Sequence, residues 1–140
     1  MLPPVFVFRG EKMNIAKVME RVRALKAGYD VSDEMIISYI DEAEQLILTD
    51  IVRGREGEQK IFADYGNYDV NSDREKELFA RAPFDVVYEQ YAATKIDLLS
   101  EESERYLNDM AAFRDTFLDL KRYWWQTHRQ VRNYRFHGGV

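Results

Sequence analysis

The side chains that come closest to a catalytic or metal-binding pattern are two glutamates and two histidines. Glu101 and Glu104 are three residues apart, which is half of a magnesium site built from paired acids on facing helices. No glutamate follows Glu104, so a second pair cannot form downstream, and an acidic first turn of a helix is the simpler interpretation. His128 and His137 have no Glu-x-x-His neighbour, and the chain has no His-Glu-x-x-His motif or phosphate-binding glycine loop. The sequence therefore predicts no enzymatic activity, no metal and no cofactor.

The aromatic residues suggest stacking on nucleic-acid bases, but their spacing favours a core. The tyrosines and phenylalanines of the second half lie on the same helical faces as the aliphatic residues. Trp124 and Trp125 are adjacent, so both cannot face one core from a helix. We expect one to be buried and assign Trp125 to a partner-binding surface.

Composition and charge limit the function further. The formal net charge is −5, which argues against non-specific nucleic-acid binding by the folded body. There is no cysteine, and no apolar run approaches the roughly 20 residues of a membrane-spanning helix. With 46% hydrophobic residues, the chain has material for one substantial core.

The C-terminus is basic. Arg129, Arg132 and Arg135 recur every third residue in a segment without acids, and we predict that residues 129–140 form a tail that is free in the isolated protein. One interpretation is a solubilising end. The other is a segment that becomes ordered on binding a partner, either an acidic protein surface or the phosphates of DNA. We assign these three arginines to partner binding.

Apolar residues at helical spacing predict two helices after Met13. Gly28 is expected to end the first, and Ser32 to cap the second, with acids in its first turn. The residues predicted to face the core are Ile15, Val18, Met19, Val22 and Leu25 in the first helix and Ile36, Ile40, Ala43, Ile47 and Ile51 in the second. Asp41, Glu42 and Glu44 are predicted to form a solvated face.

Residues 54–82 are irregular, beginning with the breaks at Gly54 and Gly57. Two short strands, KIFADY and ELFA, could pair as a small β-hairpin, and a helical turn capped by Ser72 is the competing interpretation. Long irregular connections in compact domains are often functional. We assign Tyr65 and Tyr68 in this segment to partner binding.

Two further helices are predicted in the second half. Pro83 is expected to start one that runs to Leu99, with Phe84, Val87, Tyr88, Tyr91, Ala92, Ile96 and Leu99 on its apolar face. A stripe at steps of four and three predicts a long amphipathic helix of about six turns: Tyr106, Met110, Phe113, Phe117, Leu120 and Trp124. We expect the two to form an antiparallel hairpin that packs on the first two helices, giving an all-α, four-helix-type bundle over residues 13–128.

Residues 1–12 form an N-terminal extension. One interpretation is that Met13 is the true start, because Arg9–Lys12 can be encoded by purine-rich codons like those of a ribosome-binding site. The other is an N-terminal arm or edge strand, VFVF, used in assembly.

The stretches APFDVVYEQYAATKID, ERYLNDMAAFRDTF and YWWQTHR resemble the head–tail connector (adaptor, or head-completion) proteins of long-tailed bacteriophages and prophages of Gram-positive bacteria. The residues that carry the resemblance are Pro83, Phe84, Asp85, Tyr88, Tyr91, Tyr106, Asn108, Phe113, Thr127 and His128. The opening MNIAKVMERVRALK and the helix containing IDEAEQLI are also similar. The extension before Met13 and the long tail after Arg129 depart from the pattern.

The resemblance implies a structural protein that forms a ring between the portal protein and a tail-side or head-completion protein. Self-association would occur on docking, and DNA would be cargo that passes along an acidic channel. The protein would reside in the bacterial host cytoplasm during assembly and then in the virion. The alternative from the residues alone is a small helical protein–protein interaction or regulatory protein without catalysis.

Overall fold

The structure is a computed structural model that describes residues 10–69, 71 and 74–131; the VFVF stretch and Ser72 lie outside this part. Within it, five α-helices form the fold: α1 (Ile15–Leu25), α2 (Asp33–Ile47), α3 (Glu58–Asp64), α4 (Val86–Leu99) and α5 (Ser103–Thr127). A π-helical turn, Leu48–Val52, continues α2. Helix α4 is central and packs against α1, α2 and α5. The prediction of an all-α fold with a long C-terminal helix is confirmed.

A side chain caps the start of each of the first two helices, and the cap at Ser32 was predicted. Asn14 accepts a hydrogen bond from the Lys17 N–H at 2.8 Å, and Ser32 accepts one from the Met35 N–H at 3.1 Å. The predicted core faces are buried, except that Leu25 is exposed at the end of α1. Gly28, with φ of +93°, lies in the turn beyond the helix, which itself ends at Leu25.

The predicted β-hairpin between KIFADY and ELFA is wrong. Residues 58–64 form α3, which follows the left-handed turn at Gly57 (φ +84°). The Glu58 carboxylate accepts the Gly54 N–H and closes this turn. The ELFA stretch instead crosses the start of α1, where the Leu78 N–H donates to the Met13 carbonyl at 2.7 Å. This stretch is therefore buried against the start of α1 and does not pair with KIFADY.

Helices α4 and α5 form the predicted antiparallel hairpin. The ring of Tyr91 lies 5.3 Å from that of Phe113, and the ring of Phe84 lies 5.3 Å from that of Tyr123. The later residue of α4 thus contacts the earlier residue of α5, so the two helices are antiparallel. Pro83 does not start α4, which begins at Val86; Pro83 lies in a turn closed by the Phe84 N–H and the Arg81 carbonyl at 2.8 Å.

Glu44 does not lie on a solvated face, contrary to the prediction, but is completely buried. Its carboxylate accepts hydrogen bonds from the Tyr88 hydroxyl at 2.5 Å, the Phe79 N–H at 2.8 Å and the Tyr68 hydroxyl at 3.0 Å. Burial raises its pKa to about 7, although these three donors act in the opposite direction. This network joins α2 and α4 to the connection between α3 and α4.

Candidate protein-binding surfaces

A groove opens between α3 and the C-terminal end of α5. It has a volume of about 650 Å³, and we name it the aromatic groove after its main lining residues: Ile61, Tyr65, Phe79, Arg81, Trp124 and His128. A mainly apolar concavity with a few polar groups is the usual form of a binding site.

The floor of the aromatic groove is a packed series of rings. Phe79 contacts Trp124 edge to face with centroids 4.8 Å apart, and Tyr65 contacts Phe79 in the same way at 5.7 Å. On its other side, Trp124 stacks on His128 at 3.5 Å with an angle of 10° between the rings. These contacts hold the apolar floor in one arrangement.

His128 is a structural part of this floor. Its Nδ1 lies 3.1 Å from the Trp124 carbonyl oxygen and 2.9 Å from Thr127 Oγ1. Because a carbonyl only accepts, Nδ1 carries the proton in this arrangement. Burial lowers the pKa of His128, which favours the neutral ring that stacks on the tryptophan.

Four charged side chains line the groove, and they differ in their pairing: Glu56, Lys60, Asp64 and Arg81. Lys60 forms an exposed ion pair with Asp64 at 3.4 Å. Arg81 is half-buried beside Phe79, and its guanidinium has no acidic partner within the described part of the chain. The Glu56 carboxylate, which also lines the groove, accepts a hydrogen bond from the Arg129 N–H at 2.9 Å. The groove therefore combines an apolar floor with two acidic and two basic side chains.

A second surface lies at the opposite end of α5. The most exposed large apolar side chains in the described residues are Leu107 (65%), Leu99 (60%) and Leu98 (55%). They flank the turn between α4 and α5, and we name this surface the hairpin tip. Leu98 and Leu107 line one shallow hollow there. Clustered exposed leucines are typical of a protein-binding surface.

The hairpin tip is anchored from below by a charged cluster. The Lys26 ammonium donates to Asp97 Oδ1 at 2.5 Å and to Asp109 Oδ2 at 3.3 Å, and so ties the end of α1 to α4 and α5. Burial, together with the neighbouring Asp97 carboxylate, raises the pKa of Asp109. The tip therefore has a defined position relative to the bundle.

The assigned residues of the irregular segment have different environments. Tyr65 lines the aromatic groove, consistent with the surface position expected for it. Tyr68 is only 5% exposed, and its hydroxyl is within hydrogen-bond distance of Glu44 and of the Glu77 carbonyl. Its assignment to a partner-binding surface is corrected: it belongs to the core, because burying the Glu44 carboxylate requires hydroxyl donors.

The two tryptophans divide as predicted, with Trp124 buried and Trp125 39% exposed. The Trp125 indole N–H donates to the Ile51 carbonyl at 2.8 Å. The Arg55 guanidinium and the Lys121 ammonium lie 4.1 and 4.5 Å from its ring centroid. A partner would reach this ring only by sharing it with those cations.

The start of the C-terminal tail is held, not free. The Arg129 carbonyl accepts from the Glu56 N–H at 3.0 Å, and the Val131 N–H donates to the Gly54 carbonyl at 2.7 Å. The Arg129 side chain is exposed beside the aromatic groove. Arg132 and Arg135 lie outside the described residues, so their assignment stays a prediction.

The hairpin tip was not identified from the sequence as a binding surface. Leu99 was assigned to the apolar face of α4, but it lies beyond the point where α5 covers that face. Leu98 and Leu107 fall outside both apolar stripes, and that departure was the available signal. Apolar residues that lie outside the core-facing stripes on both sides of one turn indicate an exposed apolar surface.

The described residues contain no group of three or more histidine, cysteine or acidic side chains that could hold a metal ion. Among the same residues, no helix has both the length and the apolar character needed to cross a membrane. Comparison of the chain with protein-family models, with curated proteins and with solved structures found no significant match.

Proposed function

We propose that this chain is a non-enzymatic structural protein of a bacteriophage or prophage, a head–tail connector that forms a ring between the portal protein and the tail-side proteins. The observation that carries the proposal is the pair of unlike apolar surfaces at opposite ends of one long helical hairpin. A protein that joins several neighbours in an ordered assembly needs more than one contact surface.

The family resemblance supports this proposal through the fold. Its residues include Phe84, Tyr91 and Phe113, whose rings join α4 to α5. Asp85 is buried and forms an ion pair with Arg21 of α1 at 3.0 Å. Residues that form the hairpin and dock it on the bundle are those that a family sharing this architecture would have in common.

The charge distribution suits the proposed location. The chain carries 25 acids and 20 basic residues, and an acidic wall would let DNA pass as cargo without being held. In this proposal the portal and the tail-side or head-completion proteins bind the surfaces that ring neighbours leave free, including the exposed Arg129 and Trp125. The protein would act in the host cytoplasm during assembly and remain in the virion.

The alternative is a helical interaction or regulatory protein, for which an exposed apolar tip would also be suitable. The two proposals differ in where the chain is found after infection. A regulator acts in the host cell and is absent from mature particles, whereas a connector is a stoichiometric component of each virion.

The test is quantitative mass spectrometry of purified tailed particles from an induced lysogen that carries the gene. The connector proposal expects one ring's worth of this chain per particle, at a fixed ratio to the portal protein. Particles from a strain in which the gene is deleted serve as the control, and they should accumulate as filled heads separate from tails. Intact, infectious virions that lack the chain would remove the connector proposal.

A further inference from the structure

The nine residues that precede the described part of the chain, MLPPVFVFR, contain eight apolar side chains and one charged side chain. We propose that this N-terminal segment, residues 1–9, binds in the aromatic groove of its own chain, with the side chains of Phe6 and Phe8 directed into the groove. The inference goes beyond the connector proposal and does not depend on it, because it concerns contacts within one chain.

The described contacts fix the point from which this segment extends. The Leu78 N–H donates to the Met13 carbonyl at 2.7 Å, and the chain before α1 runs antiparallel to the stretch that contains Leu78. Further along the same course, Gly10 lies so close to Ala82 that a Cβ added to the glycine would be 2.7 Å from the Ala82 Cβ. Ala82 is the direct neighbour of Arg81, which lines the aromatic groove. The N-terminal segment therefore leaves the described body at the edge of the groove.

The antiparallel pairing also fixes which face of this chain turns toward the groove. Side chains alternate between two faces along an extended chain, and residues that oppose each other in an antiparallel pair share a face. Asn14 opposes Glu77, and the Lys12 ammonium lies 3.3 Å from the Glu77 carboxylate, so the even-numbered residues share the face of Glu77. Phe79 and Arg81 belong to this face too, and both line the groove.

Continued upstream in the same extended form, this alternation places Phe6 and Phe8 on the groove face, and Val5 and Val7 on the other face. Nine extended residues span roughly 30 Å. The segment is therefore long enough to cross the whole groove from its edge, and its two aromatic side chains have the same register as the groove-lining residues.

The groove offers apolar surface to these two rings. The floor rings Phe79 and Trp124 are each only 3% exposed, so the accessible apolar wall consists chiefly of the half-buried Ile61 and Tyr65. These two residues belong to α3 and its C-terminal end, and α3 has no buried residue of its own. Two phenylalanine rings against this wall would bury apolar area on both partners and would cover the side of α3 that faces the groove.

The covalent connection favours this segment over a separate molecule. A short tether gives the attached group an effective concentration in about the millimolar range, and a partner or a second copy would have to reach that concentration to compete. The charges of the groove do not oppose this occupant, because its two acidic and two basic side chains balance each other and the segment is almost uncharged.

The test measures how fast a thiol on the groove wall reacts. Because the chain has no cysteine, Ile61→Cys places a single thiol there, and its reaction with a maleimide-linked polyethylene glycol is followed in the full-length chain. Adding Phe6→Ser with Phe8→Ser should increase the rate about tenfold, as expected if the segment otherwise leaves the groove open about one tenth of the time. The matched pair Val5→Ser with Val7→Ser alters the other face of the same segment and should change the rate by less than about twofold.

Two further measurements show whether a change in rate is local. Leu118→Cys lies at an exposed position of α5 that does not line the groove, and neither serine pair should change its rate. In the cysteine-free chain, the phenylalanine pair should lower the midpoint of thermal unfolding by about 4 °C, and the valine pair by less. Tyr65→Cys provides a second thiol on the groove wall if Ile61→Cys does not fold.

Three outcomes would overturn the proposal. The first is an unchanged rate after Phe6→Ser with Phe8→Ser at both thiol positions. The second is an equal increase with the valine pair, which would contradict the predicted face. The third is protection that increases with protein concentration, which would show that a second copy fills the groove. None of these outcomes bears on virion incorporation, so this inference and the connector proposal can fail separately.

Discussion

Glu44 allows the energetics of the core to be tested through pH. Its carboxyl pKa is raised from 4.5 to about 7, chiefly because burial disfavours the charged form. The folded state therefore binds more protons than the unfolded state between pH 4.5 and 7. Since an acid with a raised pKa contributes its stability below the unfolded-state value, the free energy of unfolding should fall as pH rises through this interval. The shift of 2.5 (7 − 4.5) corresponds to about 3 kcal/mol, at 1.36 kcal/mol for each pKa unit.

The surrounding hydrogen bonds explain why both protonation states can be accommodated. A protonated Glu44 can donate to the Tyr68 hydroxyl, which in turn can donate to the Glu77 carbonyl 3.3 Å away. An ionised Glu44 instead accepts from both tyrosines and from the Phe79 N–H. The network therefore survives the titration, and the energetic difference comes from burying the charge.

The assay is urea-induced unfolding at several pH values from 4 to 8, with Glu44→Gln as the matched variant. The variant lacks the titration, so the difference in unfolding free energy between the two proteins should change by about 3 kcal/mol between pH 4.5 and 7. His128 has the opposite effect on stability: because its pKa is lowered, the protein loses stability as pH falls below 6.5, the ordinary pKa of histidine. Both proteins contain His128, so its contribution cancels when their unfolding free energies are subtracted. The amide introduced by Glu44→Gln cannot accept hydrogen bonds at both of its terminal atoms, which adds a pH-independent loss of about 1–3 kcal/mol. Two outcomes would contradict this reasoning: parallel pH profiles for the two proteins, or a wild-type advantage that grows toward pH 7. Either would show that the three hydrogen-bond donors lower the pKa of Glu44 at least as much as burial raises it.

Three further experiments, each with a paired substitution, test the surfaces and the core. Glu101 has φ of +56°, a left-handed conformation that glycine adopts without strain, so Glu101→Gly should stabilise the protein by about 1 kcal/mol in a thermal melt, and Glu101→Asn by less. A loss of stability in Glu101→Gly would show that the carboxylate makes a stabilising contact. Trp124→Ala should cost about 3–5 kcal/mol in urea-induced unfolding because it removes the buried ring between Phe79 and His128. Trp125→Ala should cost much less, and equal losses would contradict the division between the two rings. Lys26→Met should cost about 3 kcal/mol because it leaves the buried Asp97 carboxylate without its cation, and adding Asp97→Asn should recover most of this. No recovery would show that the cost comes from packing.

Local signals in the sequence predicted the local structure well. Ser32 caps α2 because its hydroxyl needs only the N–H three residues ahead, and the α4–α5 hairpin follows from two apolar stripes with a short connection. The sequence also contains a signal for the burial of Glu44, which the prediction of a solvated face overlooked. Ile36, Ile40 and Glu44 follow one another in steps of four, so the carboxylate lies directly on the buried stripe of α2.

Contacts between distant segments were the ones that the sequence did not reveal. Residues 76–78 pair with residues 13–15 across more than 60 positions, and residues 129–131 pair with residues 54–56 across more than 70. Neither segment has a periodic pattern from which its distant partner could be predicted. The aromatic groove is a product of these same contacts, because Phe79 and His128 reach it only after both pairings form.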